Sequence, residues 1–167
     1  MPLQPYAGPF GAPELRHLLR RTLFGASNAD LAHFAGMSLT DVVDELLTFT
    51  NNTTPPIKAY SIPDGSNQPD PTLVDPDVPF GSTWTTVVRD PGLVPNPNIQ
   101  RVTSFQQWWT GLLVGQDRNV REKMVLFWHT NLATQASTVQ LAEPLYVMNQ
   151  LLRDLSLIHI SEPTRPY

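Results

Sequence analysis

The chain has 167 residues, 17 of them proline and none cysteine, with a hydrophobic fraction of 41%, a charged fraction of 16% and a formal charge of -4. A chain of this length fits one domain able to bury roughly two-thirds of its unfolded surface, and its apolar content excludes wholesale disorder. The acidic balance speaks against nucleic acid as a partner, no apolar run reaches the roughly 18 residues of a transmembrane helix, and zero cysteine excludes disulfides, a thiol nucleophile and a thiolate metal site.

Residues 1–12 read as an extended segment. They carry neither the positive n-region nor the apolar h-region of a secretory signal, which makes a cytoplasmic location the default without excluding export. Residues 13–49 read as short helices. Pro13 suits a first helical position, Leu15, Leu18, Leu19 and Leu23 form an apolar stripe, and Gly25 is a stop. Ser27 to Asp30 and Ser38 to Asp41 resemble helix caps. The second of these precedes Leu39, Val42, Val43, Leu46 and Leu47 at i, i+3, i+4, i+7, i+8 spacing.

Residues 50–101 form a proline-rich connector, which holds ten of the 17 prolines. Its one β-like run is Thr83 to Val88. So long an irregular stretch is either a functional loop or a surface excursion that packs through Tyr60, Phe80 and Trp84. In residues 102–154, Thr103 or Ser104 can cap a helix bearing Phe105, Trp108, Trp109, Leu112 and Leu113, with Gly115 ending it. Asp117 or Asn119 opens another, with Val120, Met124, Phe127 and Trp128 on one face. A last helix runs from Pro144 through Leu152. The fold class expected is all-α: short N-terminal helices, the connector, then two or three longer helices, as part of a larger helical protein.

Three groups carry candidate chemistry. His129 could act as general base or ligand, but Val125 and Leu132, its helical neighbours at i-4 and i+3, supply no ligand, so a histidine in a helix seam is the preferred explanation. Arg121, Glu122 and Lys123 are a dense cluster in a charge-poor chain, which could bind an anion or take part in catalysis. The bland account is an exposed helix start with Arg118 paired to Glu122. Burial of Arg121 or Glu122 would reverse that preference. His17, Arg20 and Arg21 share a helix face at i, i+3 and i+4, suited to a phosphate, a sulfate or an acidic polysaccharide group, or to acids elsewhere in the protein. Among Trp84, Trp108, Trp109 and Trp128, helical spacing favours core over a carbohydrate platform, with Trp109 a candidate for the rim. Asp64, Asp70, Asp75 and Asp77 do not match a calcium loop, so no metal site is assigned. The cofactor is left open.

His17 to Gly25, Trp108-Trp109 and Arg121-Glu-Lys-Met-Val-Leu-Phe-Trp-His129, in that order, resemble the N-terminal part of a large bacterial family catalogued as domain of unknown function eighteen hundred. Tyr6-Ala-Gly-Pro-Phe-Gly11 resembles the variant of Bacteroidetes-type members. The resemblance implies a longer, mostly helical protein without an agreed activity, whose gene often neighbours that of a sulfatase-like family. The product of such a neighbouring gene is a possible partner, as is the rest of the same chain. Family members usually read Trp-His-x-His-Phe where this chain has Trp128-His-Thr-Asn-Leu132, which puts in doubt any role needing both histidines.

Leu155 to Arg165 resembles, codon for codon, the translation of a transposon-end sequencing adapter. Residues 155–167 are therefore set aside as read-through from a metagenomic sequence, and His159 with them. Two functions follow: a non-enzymatic helical scaffold or interaction portion with no active site in this stretch, or part of an enzyme, perhaps a hydrolase of carbohydrate or sulfated substrates, to which His129, Arg121 and Glu122 contribute. Neither membrane insertion nor nucleic-acid binding is expected.

Overall fold

Local hydrogen-bonding groups start the N-terminal helices. The computed structural model describes residue 4 and residues 6–48, 53–59, 75–88, 90–92, 97–115, 117–132, 136–139 and 141–161, leaving aside the side chains of 136, 137 and 156–161. Helix α1 (Ala12–Thr22) has Pro13 in its first turn, where a missing N–H costs nothing. The Glu14 carboxylate accepts the Gly11 N–H at 3.0 Å. Helix α2 (Asn28–His33) opens on a reciprocal cap. The Ser27 hydroxyl accepts the Asp30 N–H at 3.1 Å, and the Asp30 carboxylate accepts the Ser27 N–H at 3.2 Å. Helix α3 (Leu39–Leu47) repeats half of this device, with the Asp41 N–H donating to Ser38 at 3.2 Å. Between α2 and α3 the chain reverses at Gly36, whose φ of +83° is unfavourable for any side chain with a Cβ. The apolar stripes then meet: Leu15, Leu19, Leu23, Phe34, Val42 and Leu46 are buried together. Each contributes about 1.5–3 kcal/mol relative to exposure.

The connector is folded onto the helices rather than looped away from them. Ile57 forms an antiparallel bridge with Thr83, and the Lys58 ammonium donates to the Asp75 and Val78 carbonyls at 2.7 and 2.8 Å. Trp84 is fully buried. Its indole N–H donates to the Ser104 hydroxyl at 3.1 Å, which in turn donates to the Ile57 carbonyl at 2.7 Å. The β-like run from Thr83 to Val88 yields only that single bridge. Val88 is exposed and so is much of Phe80, so Val78 anchors the connector in the place expected of Phe80. Tyr60, Asp64 and Asp70 lie outside the described residues.

Helices α4 (Asn98–Val114), α5 (Arg121–Asn131), α6 (Ala136–Val139) and α7 (Ala142–Ser161) complete an all-α fold in which α7 packs on both α4 and α5. Helix α4 begins at Asn98, ahead of the expected Thr103 or Ser104, because Pro97 (φ -73°) already sets a helical dihedral. The Asn98 side chain instead caps α7, accepting the Ala142 N–H at 3.0 Å. Helix α7 starts two residues ahead of Pro144 and continues to Ser161, inside the adapter-like segment. The face expected on α5 is corrected. Arg121, Glu122 and Val125 turn inward, while Phe127 is half exposed. The two helical groups are stitched by backbone and lysine. The Val120 N–H donates to the Leu46 carbonyl at 3.0 Å, and the Lys123 ammonium donates to the Arg20 and Leu23 carbonyls at 3.0 and 2.6 Å.

Candidate functional site

Two places gather the candidate side chains. The first is the seam between α5 and α7. Glu122 is nearly buried and Arg153 wholly so. The Arg153 guanidinium donates to both Glu122 oxygens, and one of its nitrogens also donates to the Asn149 side-chain carbonyl at 3.1 Å. Its Cζ lies over the Trp108 ring, 5.4 Å from the ring centre, a distance at which a cation is attracted to the ring. Arg121 is buried beside this pair. Burial, and then the nearby Arg153 charge, hold the Arg121 pKa below its ordinary value against the opposing pull of Glu122, Asp117 and Asp154. The expected Arg118–Glu122 pair does not form. Arg118 reaches Asp30 on α2 at 3.2 Å, because Arg153 arrives from α7 with a better-matched fork. Burial of Arg121 and Glu122 meets the condition for preferring an anion-binding or catalytic cluster over an exposed helix start, but the charge that Glu122 faces is Arg153 of the same chain.

His129 sits further along α5, edge-on to Trp109 with ring centroids 4.7 Å apart. Burial lowers its pKa from 6.5 and so favours the neutral imidazole. The Trp109 indole N–H is buried with no acceptor among the described residues. Trp108 donates to the Thr54 carbonyl at 2.6 Å. With Trp84 in the core and both α4 tryptophans half-buried, these rings pack against connector and helices rather than lie side by side as an open platform.

A second buried ion cluster escaped the sequence. Arg101, wholly buried on α4, holds Asp75 through a two-pronged contact of 2.9 and 2.8 Å. It also donates to the Val87 carbonyl at 2.9 Å and to Glu143 on α7 at 2.8 Å. Burial alone would lower the Arg101 pKa, but Asp75 and Glu143 outweigh it and hold the guanidinium above its ordinary value. Asp75 thus anchors the connector through its side chain, while its carbonyl closes a turn by accepting the Val78 N–H at 3.2 Å. The sequence offered one signal: Arg101 is the single charged residue of a 17-residue helix, and a charge surrounded by apolar neighbours is either exposed or paired.

The second place is the outer face of α1. Arg16, His17, Arg20 and Arg21 are all exposed there. His17, Arg20 and Arg21 do share a face as their spacing implied, but they are on the opposite side of α1 from Leu15 and Leu19 and do not converge with Glu122 or His129. Lys123 links the two among the described residues. Its pKa is lowered by burial and by Arg21, and it occupies carbonyls at the end of α1. Among the described residues no group of three or more His, Asp or Glu side chains could hold a metal ion, and no helix is long and apolar enough to cross a membrane.

One family model, described as protein of unknown function (DUF1800), matches residues 17–157. No curated protein and no solved structure matches the chain.

Proposed function

Since the chain belongs to the DUF1800 family of proteins of unknown function, we propose from its own side chains that it is a helical scaffold and interaction portion rather than the carrier of an active site. One observation supports this most directly: Glu122, the best placed candidate acid, is locked in a two-pronged contact with Arg153 inside the α5–α7 seam. A general acid or base must reach a substrate proton. A carboxylate whose two oxygens both accept from a buried guanidinium is committed to holding helices together. His129, its pKa lowered by burial and its ring lying against Trp109, serves the neighbouring contact between α4 and α5.

Thermal-shift measurements on the protein test this directly, with zinc, magnesium, phosphate, sulfate and simple sugars as probes. Glu122→Gln should lower the melting temperature by several degrees, as loss of a buried ion partner does. His129→Ala should leave the response to every probe as in the parent. Stabilisation by any probe that disappears in His129→Ala or Glu122→Gln would overturn the proposal and favour the enzyme alternative.

A further inference from the structure

The outer face of α1 carries more positive charge than the fold uses. At about 100° per residue, Arg16, His17, Arg20 and Arg21 fall within an arc of about 140°, opposite the buried Leu15 and Leu19. None of the four side chains makes an ion pair or hydrogen bond among the described residues. Cations in a last helical turn usually offset its exposed carbonyls, but here Lys123 already donates to the Arg20 and Leu23 carbonyls. Three arginines and a histidine therefore face solvent, on a chain whose formal charge is -4.

This arc borders two adjoining depressions. One, of about 460 Å³, has apolar walls from Tyr6, Phe10, Leu18 and Leu39, with His17 and Arg21 at its edge and Glu14 also in its lining, its carboxylate accepting the Gly11 N–H. The Tyr6 hydroxyl donates to the Pro9 carbonyl at 2.9 Å, which fixes the outer wall. The other, of about 430 Å³, is lined by Arg16 and Arg20. Pro13 and His17 border both. A space of that size takes one aromatic or large aliphatic side chain, and the neighbouring depression presents guanidiniums suited to carboxylates.

The geometry points to the outer face of α1 as a docking surface for an acidic peptide segment of a partner protein, with one aromatic or aliphatic side chain in the Tyr6–Leu39 recess and carboxylates against Arg16 and Arg20. This deepens the interaction role proposed above and rests on it. Charge complementarity selects the acids. The apolar recess distinguishes a peptide from an inorganic anion, which could use only the guanidiniums. Three arginines on an acidic chain are too few to hold a nucleic acid by phosphate contacts. A lipid surface would need an apolar helix face, and α1 turns its apolar face inward.

The test is fluorescence anisotropy with a short labelled peptide of Asp and Glu residues around one Trp-Leu pair, set against the same peptide with Ser-Ser in place of the pair. The parent protein should bind the first peptide, and added salt should weaken binding. Arg16→Gln with Arg20→Gln, both at exposed positions, should weaken it by about tenfold or more, and so should the Ser-Ser peptide. Tyr6→Ala should act in the same direction. Equal binding of the two peptides, or unchanged binding by the arginine variant, would sink the surface as proposed. So would tighter binding of phosphatidylserine vesicles or polyuridylic acid through the same arginines. Peptide binding lost in Glu122→Gln but kept in the arginine variant would instead place the contact at the α5–α7 seam and undo the scaffold role, so the two failures are distinguishable.

Discussion

The helices α1 to α3 and the α4–α7 region, with the connector packed on it, bury their interiors by different chemistry. Leucine, valine and phenylalanine fill the first, and its polar links (Ser27 with Asp30, His33 with Glu45 at 2.7 Å) stay at the surface. The second buries Trp84, Phe105 and Leu145, but it also encloses Arg101 with Asp75 and Arg153 with Glu122. An apolar core tolerates exchange of one hydrocarbon for another of like volume. A buried ion pair does not tolerate loss of one member, because the survivor remains charged and dry. The region that buries its charges is therefore the less forgiving of the two, and those charges serve cohesion.

Arg101 gives the largest break in that comparison. Arg101→Ala strands the Asp75 carboxylate and frees the Val87 carbonyl and Glu143, and should cost about 3–5 kcal/mol in urea unfolding. Replacing Arg101 and Asp75 together by Met and Leu should recover most of the loss, since no lone charge is then left inside. A single Arg101→Ala costing under about 1 kcal/mol would show that water reaches the pair and that the two regions do not differ in this way.

The sharpest contrast from the other side is Ser27→Ala, which removes the acceptor for the Asp30 N–H. It should cost about 1 kcal/mol. Part of that loss is already present in the parent at low pH. Burial raises the Asp30 pKa, but the Ser27 hydrogen bonds and Arg118 outweigh it, leaving the group below 3.8. A depressed carboxylate contributes stability above its unfolded pKa and loses it as pH falls through the folded value. The effect of the substitution should therefore shrink below about pH 4.

These two substitutions also mark what the sequence could disclose. Ser27 and Asp30 are three residues apart, and a cap of that span is legible because both partners belong to one turn. The leucine stripe of α1 is legible for the same reason. Arg101 and Asp75 stand 26 residues apart, and Arg153 and Glu122 stand 31 apart. Nothing in local spacing joins them, so helical period alone points to the wrong buried face of α5 and to the wrong partner for Arg118. Of the α1 surface, the shared face of His17, Arg20 and Arg21 was legible from helical period alone. The recess was not, since Tyr6 and Leu39 reach it from segments on either side of the helix.

The smallest effect isolates His129, whose imidazole is the one titratable ring at the α4–α5 contact. Burial alone lowers its pKa from 6.5. The folded chain then binds fewer protons than the unfolded chain just below that pH, so stability declines as pH falls from about 7.5 through 6.5 toward the folded value. Comparing urea midpoints at several pH values between parent and His129→Gln separates this from His17 and His33, which both proteins retain. The parent should lose more stability across the interval, and the variant should show a flatter profile. Because the Trp109 ring lies edge-on to the imidazole, its fluorescence should follow the same titration in the folded protein. If both proteins show the same slope, His129 is open to water and available to a ligand. If the slope flattens, the ring belongs to the dry contact between α4 and α5, which sets it with Glu122 among side chains that hold helices together.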